Sequence, residues 1–330
     1  MGYTNFPNGL TSFGVPVLTG MPQPFTGNYW FVAPHSGLDG NSGKNPQAPL
    51  KTLARALALA TANNNDVVFL IAESNTAANT TDYQSVTLDW NKDLTHLIGI
   101  SAPSKWSNRA RIAQLSTATG VSPLFKLSAN GCYIANVGIF QGVADATSLI
   151  AMQVTGEHNV IDTCAIQGIG NATQVTAGAM DLQLYGAAEN LFTNCLIGTD
   201  TISRDQNCTG INAVVNATPT ASTRNYFRDC QMDAYLSNAG YAAVTIGAVG
   251  IDRELVFERS MFWAKSTNKA ISQTSVFSIP AISQGAILLK DTSAFTDGGT
   301  AVWDSNSRGI IWNNAPTTAA TAGGNLMTNK

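Results

Sequence analysis

The chain has 330 residues, with 18 basic and 21 acidic side chains and a formal net charge of −3. Only 12% of the residues are charged and 44% are hydrophobic, which excludes the highly charged, apolar-poor composition of disordered chains. The 29 asparagines and 29 glycines disfavour a helix-rich fold, because both are weak helix formers. No basic cluster points to nucleic acid, and no apolar run reaches the roughly 18 residues of a membrane span. We therefore expect neither nucleic acid nor a membrane as a partner.

Residues 1–28 form an apolar arm that contains no charged side chain. The segments 6–9 and 13–16, with their Pro, Asn and Gly residues, indicate turns in an extended chain. Such an arm either lies along the protein's own body or anchors the protein to a partner. In the second case Phe6, Phe13 and Val15 are the expected contact residues. No signal-peptide pattern is present in this segment, so we expect assembly in a host cytoplasm rather than secretion.

The arm leads into a strand at residues 29–34, a loop at 37–43 and one clear helix near 49–62. Leu50, Leu53 and Leu57 recur at helical spacing, so they share one face. Pro49 suits the first turn of this helix. The asparagines at 63–65 end it, and residues 67–71 then read as a buried strand.

Beyond residue 120 the sequence repeats itself at intervals of 27, 31, 35, 30, 32 and 22 residues. Each unit has one apolar anchor, followed by small or apolar residues three and five positions later. The anchors are Ile134, Ile161, Phe192, Phe227, Phe257, Leu289 and Ile311. The residues five positions later in the first six units are Ile139, Ile166, Ile197, Met232, Phe262 and Ala294.

The spacing predicts a strand, a two-residue bend and a second strand in each unit. Asn or Asp stands two positions after the anchor at Asn136, Asn194, Asp229 and Asp291, and these residue types tolerate the left-handed conformation that the bend needs. A third, alternating strand precedes each anchor. Three short strands per unit of about 30 residues predict an all-β protein, a right-handed parallel β-helix of six or seven coils. The expected domains are the arm (1–28), the β-helix (29–314) and a flexible or docking tail (315–330).

Three of the five cysteines share the position three residues after the anchor. Cys164, Cys195 and Cys230 should therefore stack inside the rod. Parallel strands hold their Cβ atoms about 4.8 Å apart, beyond the ~3.8 Å of a disulfide. We expect buried free thiols, with a reactive or metal-binding role as the alternative. No paired Cys motif is present, and we expect no metal and no cofactor.

The repeat units resemble the coils of pectate-lyase-like β-helix proteins, as the segments 159–166 and 190–197 illustrate. The entry segment also resembles that superfamily, as found in phage spikes and surface proteins: a strand, an Asp/Gly/Asn loop, and a Pro-x-x-Thr-Leu helix that starts at Pro49. The resemblance implies that this helix caps the open end of the rod. The arm segment 5–16 resembles the opening of bacteriophage virion proteins.

Catalytic residues are sparse. Asp181 and Asp200 are the candidate acids: Asp181 is expected to point outward, beside Ala151 and Asn212 and without a partner. The loop acids Asp205 and Asp233 cannot be placed from sequence. The polygalacturonase motifs are absent.

A second pair of acids shares one column of the predicted rod. Asp162 and Glu258 stand one position after their anchors but lie three coils, about 14 Å, apart, which is too far for a catalytic pair. The histidines His35, His96 and His158 read as loop, strand and turn residues. Trp263 should point outward, and we expect it in a contact between subunits, with a glycan platform or burial under a loop as alternatives.

These features favour a non-enzymatic structural protein of a bacteriophage virion, a homotrimer that decorates the capsid and docks onto a capsid or other virion protein through its arm. The alternative is a tail-spike type protein that binds a surface glycan or depolymerises it as a hydrolase or lyase.

Overall fold

The structure is a computed structural model. It describes residues 11–12, 15–16 and 26–313, apart from 107, 175, 205–206, 215–221, 248–249, 267–270, 272, 280–284, 298–301 and 305–309. Three parallel sheets wind around one apolar core. Sheet I has ten strands, and sheets II and III have eight each. Each coil passes from sheet I to sheet II to sheet III and then re-enters sheet I one step further along. The expected parallel β-helix is therefore confirmed.

The strands follow one another as short segments, almost all of three to six residues. In chain order they are β1 (Thr11–Ser12), β2 (Val15–Pro16), β3 (Tyr29–Val32), β4 (Asp66–Ile71), β5 (Thr81–Gln84), β6 (Leu88–Trp90), β7 (Thr95–Ile100), β8 (Arg111–Gln114), β9 (Phe125–Leu127), β10 (Tyr133–Ala135), β11 (Gly138–Phe140), β12 (Ile150–Val154), β13 (Val160–Asp162), β14 (Ala165–Gln167), β15 (Met180–Tyr185), β16 (Leu191–Thr193), β17 (Leu196–Arg204), β18 (Thr209–Val214), β19 (Asn225–Arg228), β20 (Gln231–Leu236), β21 (Ala242–Ile246), β22 (Glu254–Glu258), β23 (Met261–Ser266), β24 (Ser275–Ser278), β25 (Ala286–Lys290), β26 (Ser293–Thr296), β27 (Val302–Asp304) and β28 (Ile310–Asn313).

Sheet I begins at the N-terminal end of the rod and contains every anchor residue. Its order is β3, β4, β7, β10, β13, β16, β19, β22, β25, β28. Sheet II runs β5, β8, β11, β14, β17, β20, β23, β26, and sheet III runs β6, β9, β12, β15, β18, β21, β24, β27. The repeat pattern does not extend to the coils before residue 120, because the connections between their strands differ in length from those of the later coils.

The predicted columns are confirmed for six units. Each anchor from Ile134 to Leu289 pairs directly with the next, and the residues five positions later also pair in order. The seventh anchor is wrong by one residue: Leu289 pairs with Trp312, and Ile311 pairs with Leu288.

The bend after each anchor is left-handed, as predicted. Asn136, Asn194, Asp229 and Asp291 have φ between 49° and 55°. Thr163 (φ 52°) and Arg259 (φ 45°) adopt the same conformation although neither is Asn or Asp. A residue type that seldom takes positive φ is held there by the coils on either side.

Buried asparagines form a ladder at the corner where sheet III turns into sheet I. Asn159, Asn190 and Asn225 are each 1% exposed. The backbone N–H of Cys132 donates to Asn159 Oδ1 (2.8 Å), and that of Asn159 donates to Asn190 Oδ1 (2.9 Å). Each side-chain amide also donates to a carbonyl of the preceding coil, as Asn190 Nδ2 does to Gly156 O (3.0 Å). Every rung thus ties neighbouring coils together.

The core is filled by stacked columns. The rings of Phe192 and Phe227 lie 4.5 Å apart, and Phe227 and Phe257 lie 4.9 Å apart. Cys164, Cys195 and Cys230 are free and buried, as predicted. Because they are buried, they pack as small apolar residues. Their thiols donate to backbone carbonyls, Cys164 to Asp162 O at 3.3 Å for example.

The helix spans Leu53–Leu59, shorter than the predicted 49–62. Thr52 is its N-cap and accepts from the N–H of Arg55, so Pro49 lies before the first turn rather than in it. Leu50, Leu53 and Leu57 are buried, as expected of a cap. Short 3₁₀ turns span Ala77–Asn79 and Ala172–Gln174.

The expected contact residues of the arm and the tail at 315–330 lie outside the described residues, except that Val15 belongs as backbone to the small antiparallel pair β1–β2. Within the described part of the chain no helix is long and apolar enough to cross a membrane.

Candidate functional site

Asp181 is not a solvent-facing acid. It is fully buried, beside Ala151 and Gly210 rather than Asn212, because Asn212 pairs with Gln183. Arg204, which is equally buried, donates from one terminal nitrogen to both carboxylate oxygens (3.1 and 3.3 Å). The N–H of Gly168 donates to the same carboxylate (2.7 Å). The expectation that Asp181 lacks a partner is therefore wrong.

The ion pair lies at the corner between sheets II and III. The other bonds of Arg204 go to the carbonyls of Gly168 (3.2 Å) and Ile169 (3.3 Å) in the preceding coil. Burial raises the pKa of Asp181 to about 6, and the guanidinium opposes that shift, so the carboxyl is ionised at neutral pH. Asp181 thus holds two coils together and does not reach solvent.

Asp162 and Glu258 stand three coil steps apart, as the register predicted. Asp162 accepts from the hydroxyl of Tyr133 (2.7 Å). Glu258 accepts from Lys290 Nζ (2.6 Å) and Arg228 Nε (3.2 Å). Lys290 and the hydroxyl of Tyr226 hold the pKa of Glu258 down at about 2. Both acids are therefore occupied by neighbouring side chains on sheet I.

His96 and His158 each contact neighbouring groups of the protein. His96 Nδ1 accepts from the N–H of Tyr133 (3.0 Å), which leaves the proton on Nε2. Burial lowers the pKa of His96 to about 4. His158 Nε2 contacts Glu189 at 2.8 Å on the surface.

Asp233 lies on the outer side of sheet II, where it pairs with Gly198, two residues before Asp200 in the preceding coil. Asp233 is 3% exposed and accepts from Gln231 Nε2 at 2.8 Å. Burial and, to a smaller extent, the negative charge of Asp200 raise the pKa of Asp233 to about 6, while the hydrogen bond from Gln231 and the charge of Lys105 oppose the shift. Asp200 is exposed. Lys105 reaches this region from a distant loop and donates to Asp229 O (3.2 Å).

Aromatic side chains lie in the same part of the molecule. Trp263 is half-buried between the buried Phe262 and Ala264, as expected of an outward residue, and pairs directly with Asp233. Trp106, next to Lys105, is 58% exposed. We call Asp200, Asp233, Lys105 and Trp263 the acid site. Asp200, Asp233 and Trp263 were candidates from the sequence, whereas Lys105 was not. No sequence pattern indicates that the loop at 101–106 reaches across several coils.

Asp233 can donate a proton in mildly acidic solution, because a carboxyl with a pKa of about 6 becomes protonated as the pH falls below that value. Among the described residues, no group of three or more His, Cys, Asp or Glu is placed to hold a metal ion.

No protein-family model matches the chain, and no curated protein matches it. Several solved structures share its fold. The pectate lyase Pel9A superposes with a TM-score of 0.56 at 15% identity, over 80% of this chain and 62% of that enzyme. A rhamnogalacturonan lyase gives 0.53 at 13% identity over 85% and 73% of the two chains. The pectin methylesterase from Aspergillus niger gives 0.50 at 14% identity over 89% and 92%.

These identities establish a common parallel β-helix and nothing about activity, because one scaffold hosts many functions. This chain also spans less than two thirds of the length of the pectate lyase.

The Asp181–Arg204 pair yields a stability prediction. Asp181→Ala should lower the free energy of unfolding by about 3–5 kcal/mol, because Arg204 is left as a buried, uncompensated charge. The double variant Asp181→Leu/Arg204→Met should recover most of that loss. Urea denaturation measures both, with Asp252→Ala, an exposed acid, as the control. A loss below about 1 kcal/mol for Asp181→Ala would contradict the structural role.

Proposed function

We propose that the chain is a structural protein of a bacteriophage virion: a homotrimeric rod that decorates the capsid and docks through its N-terminal arm. The resemblance of the arm to the opening of virion proteins supports the virion role. The observation that carries the assembly role is an apolar column on the outward face of sheet I.

The outward column runs along five successive strands of sheet I. It consists of Val160, Leu191, Tyr226, Val256 and Leu288, all half-buried and paired in register. The column beside it is polar, with Thr193 and the charged residues Asp162, Arg228, Glu258 and Lys290. Outward residues of a solvated sheet are expected to be polar.

An apolar column bordered by polar and charged side chains resembles a subunit interface, in which an apolar centre is surrounded by a polar rim. Its border carries both signs of charge in close pairs, so a copy of the same chain fits it without excess repulsion. Symmetric association of identical chains is also the commonest form of assembly. We therefore assign this column to contact with a second copy within the trimer.

The virion role predicts that the chain is present in density-purified phage particles in a copy number divisible by three. Removing residues 1–28 should abolish incorporation because the docking arm is lost. Leu191→Asp should abolish it because a charge in the apolar column breaks the trimer. Val86→Asp, at a 69% exposed residue away from sheet I, should leave it unchanged. Quantitative mass spectrometry of the particles measures all four, and absence of the unaltered chain would refute the role.

A second candidate function is cleavage of a polysaccharide at the acid site. The raised pKa of Asp233 supports it, because a carboxyl protonated near pH 6 is suited to general acid catalysis. Asp200 would act as the partner base or nucleophile, with Trp263 as a stacking surface. The names of the structural neighbours, a pectate lyase, a rhamnogalacturonan lyase and a pectin methylesterase, are consistent with such a substrate class.

The glycan reading predicts a specific pH profile. Cleavage of a polysaccharide panel should slow as the pH rises above about 6, because Asp233 then loses the proton that it donates. Asp233→Asn should lower the rate by about 10²-fold or more, and the exposed-acid control Asp252→Asn should not. Reducing-end and unsaturated-product assays detect hydrolysis and elimination respectively. No cleavage by the unaltered chain, or equal rates for Asp233→Asn, would exclude this function.

A further inference from the structure

The outward side of the first four strands of sheet I forms an apolar surface, which we call the aromatic face. It consists of Tyr29 and Phe31 in β3, Val67 and Phe69 in β4, Ile98 in β7 and Tyr133 in β10. The rings of Phe31 and Phe69 stack 5.3 Å apart, and those of Tyr29 and Phe69 lie 5.8 Å apart. These residues cluster separately from the interior core of the rod.

Three residues of the aromatic face are almost completely buried, although they point away from the core. Val67 is 0%, Phe69 6% and Ile98 8% exposed, while Val68 and Leu70 on the same strand face inward. His96, which lies among them, has its pKa lowered to about 4 by burial and is neutral at neutral pH. The buried part of the aromatic face is therefore apolar, with a neutral His96 beside it.

The near-complete burial of outward apolar residues is confined, among the described residues of sheet I, to the first four strands: the column through Val67 and Tyr133 continues with Val160 and Leu191, which are only half-buried. The outward column that begins with Phe31, Phe69 and Ile98 continues with Ala135 and then turns polar at Asp162. Further along it carries Arg228, Glu258 and Lys290. Four strands at about 4.8 Å give an apolar surface roughly 15–20 Å long. An occupant that covers Val67, Phe69 and Ile98 must therefore be apolar and must reach this end of the rod.

The N-terminal arm meets each of these requirements. It has no charged side chain between residues 1 and 25, and it contains Tyr3, Phe6, Leu10, Phe13 and Val15. It joins the rod at Tyr29, which is itself part of the aromatic face. Twenty-five extended residues can reach about 80 Å, far more than the face requires. The pairing of β1 with β2 shortens the arm and leaves it ample reach.

We propose that the N-terminal arm packs against the aromatic face of its own rod, with Phe6, Phe13 and Val15 supplying the contacts. A tethered segment acts at a high effective concentration, whereas a second copy must first overcome the cost of association. The arm is therefore favoured over a neighbouring chain as the occupant. This inference does not rest on the virion role. An arm held on the face would present its other side to a docking partner at a fixed place.

Photocrosslinking of the full chain tests the occupant directly. A benzophenone amino acid in place of Phe13 should crosslink within one chain to peptides containing Phe69, Ile98 or Tyr133, at a yield independent of protein concentration. The same probe in place of Val86, an exposed residue on another side of the rod, should give no such product. Crosslinks between chains would assign the face to a second copy, and crosslinks elsewhere on the rod would also overturn the proposal.

Limited proteolysis provides an independent measurement. Phe69→Ala should speed cleavage within residues 1–25 about tenfold, because a weakened contact leaves the arm detached more of the time. Val86→Ala, at an exposed residue on another side of the rod, is the control and should leave the rate unchanged. Equal rates for Phe69→Ala and the unaltered chain would refute arm packing, whether or not the chain belongs to a virion.

Discussion

Buried asparagines at one corner of the rod hold each coil in register with the next. Asn159, Asn190 and Asn225 satisfy the backbone donors and acceptors that the turn from sheet III into sheet I would otherwise leave buried and unpaired. An unpaired buried polar group costs about 1–3 kcal/mol. The left-handed bend after each anchor provides the matching corner between sheets I and II. Together these two corners keep the apolar anchors stacked.

Once the coils are in register, every outward side chain lies in a column with its equivalents in the neighbouring coils. The properties of the surface depend on which columns lie side by side. The apolar column from Val160 to Leu288 and the aromatic face both arise in this way on sheet I. The acid site arises where the column of Asp233 and Trp263 meets a loop that carries Lys105.

The columns could be predicted because buried strands repeat their side-chain pattern, and Asn at the bends marks the corners. Asp181 could not be placed in the same way. Its partner Arg204 ends the longest strand, Leu196–Arg204, in which a bulge between Thr199 and Ser203 shifts the register. That irregularity brings Arg204 into the corner, and no repeat in the sequence encodes it. The hydrogen bond of Lys105 to the carbonyl of Asp229, 124 residues away, could not be predicted either, because loops have no repeating sequence pattern.

The most direct test of the coil register is the unfolding free energy of the Asn190→Ala variant. The account predicts a loss of about 1–3 kcal/mol, because the N–H of Asn159 and the carbonyl of Gly156 lose their partner in the interior. Asn212→Ala, at a half-buried residue of sheet III outside the ladder, should change stability by less than about 0.5 kcal/mol. Equal effects of the two substitutions would contradict the ladder as the element that holds the coils in register.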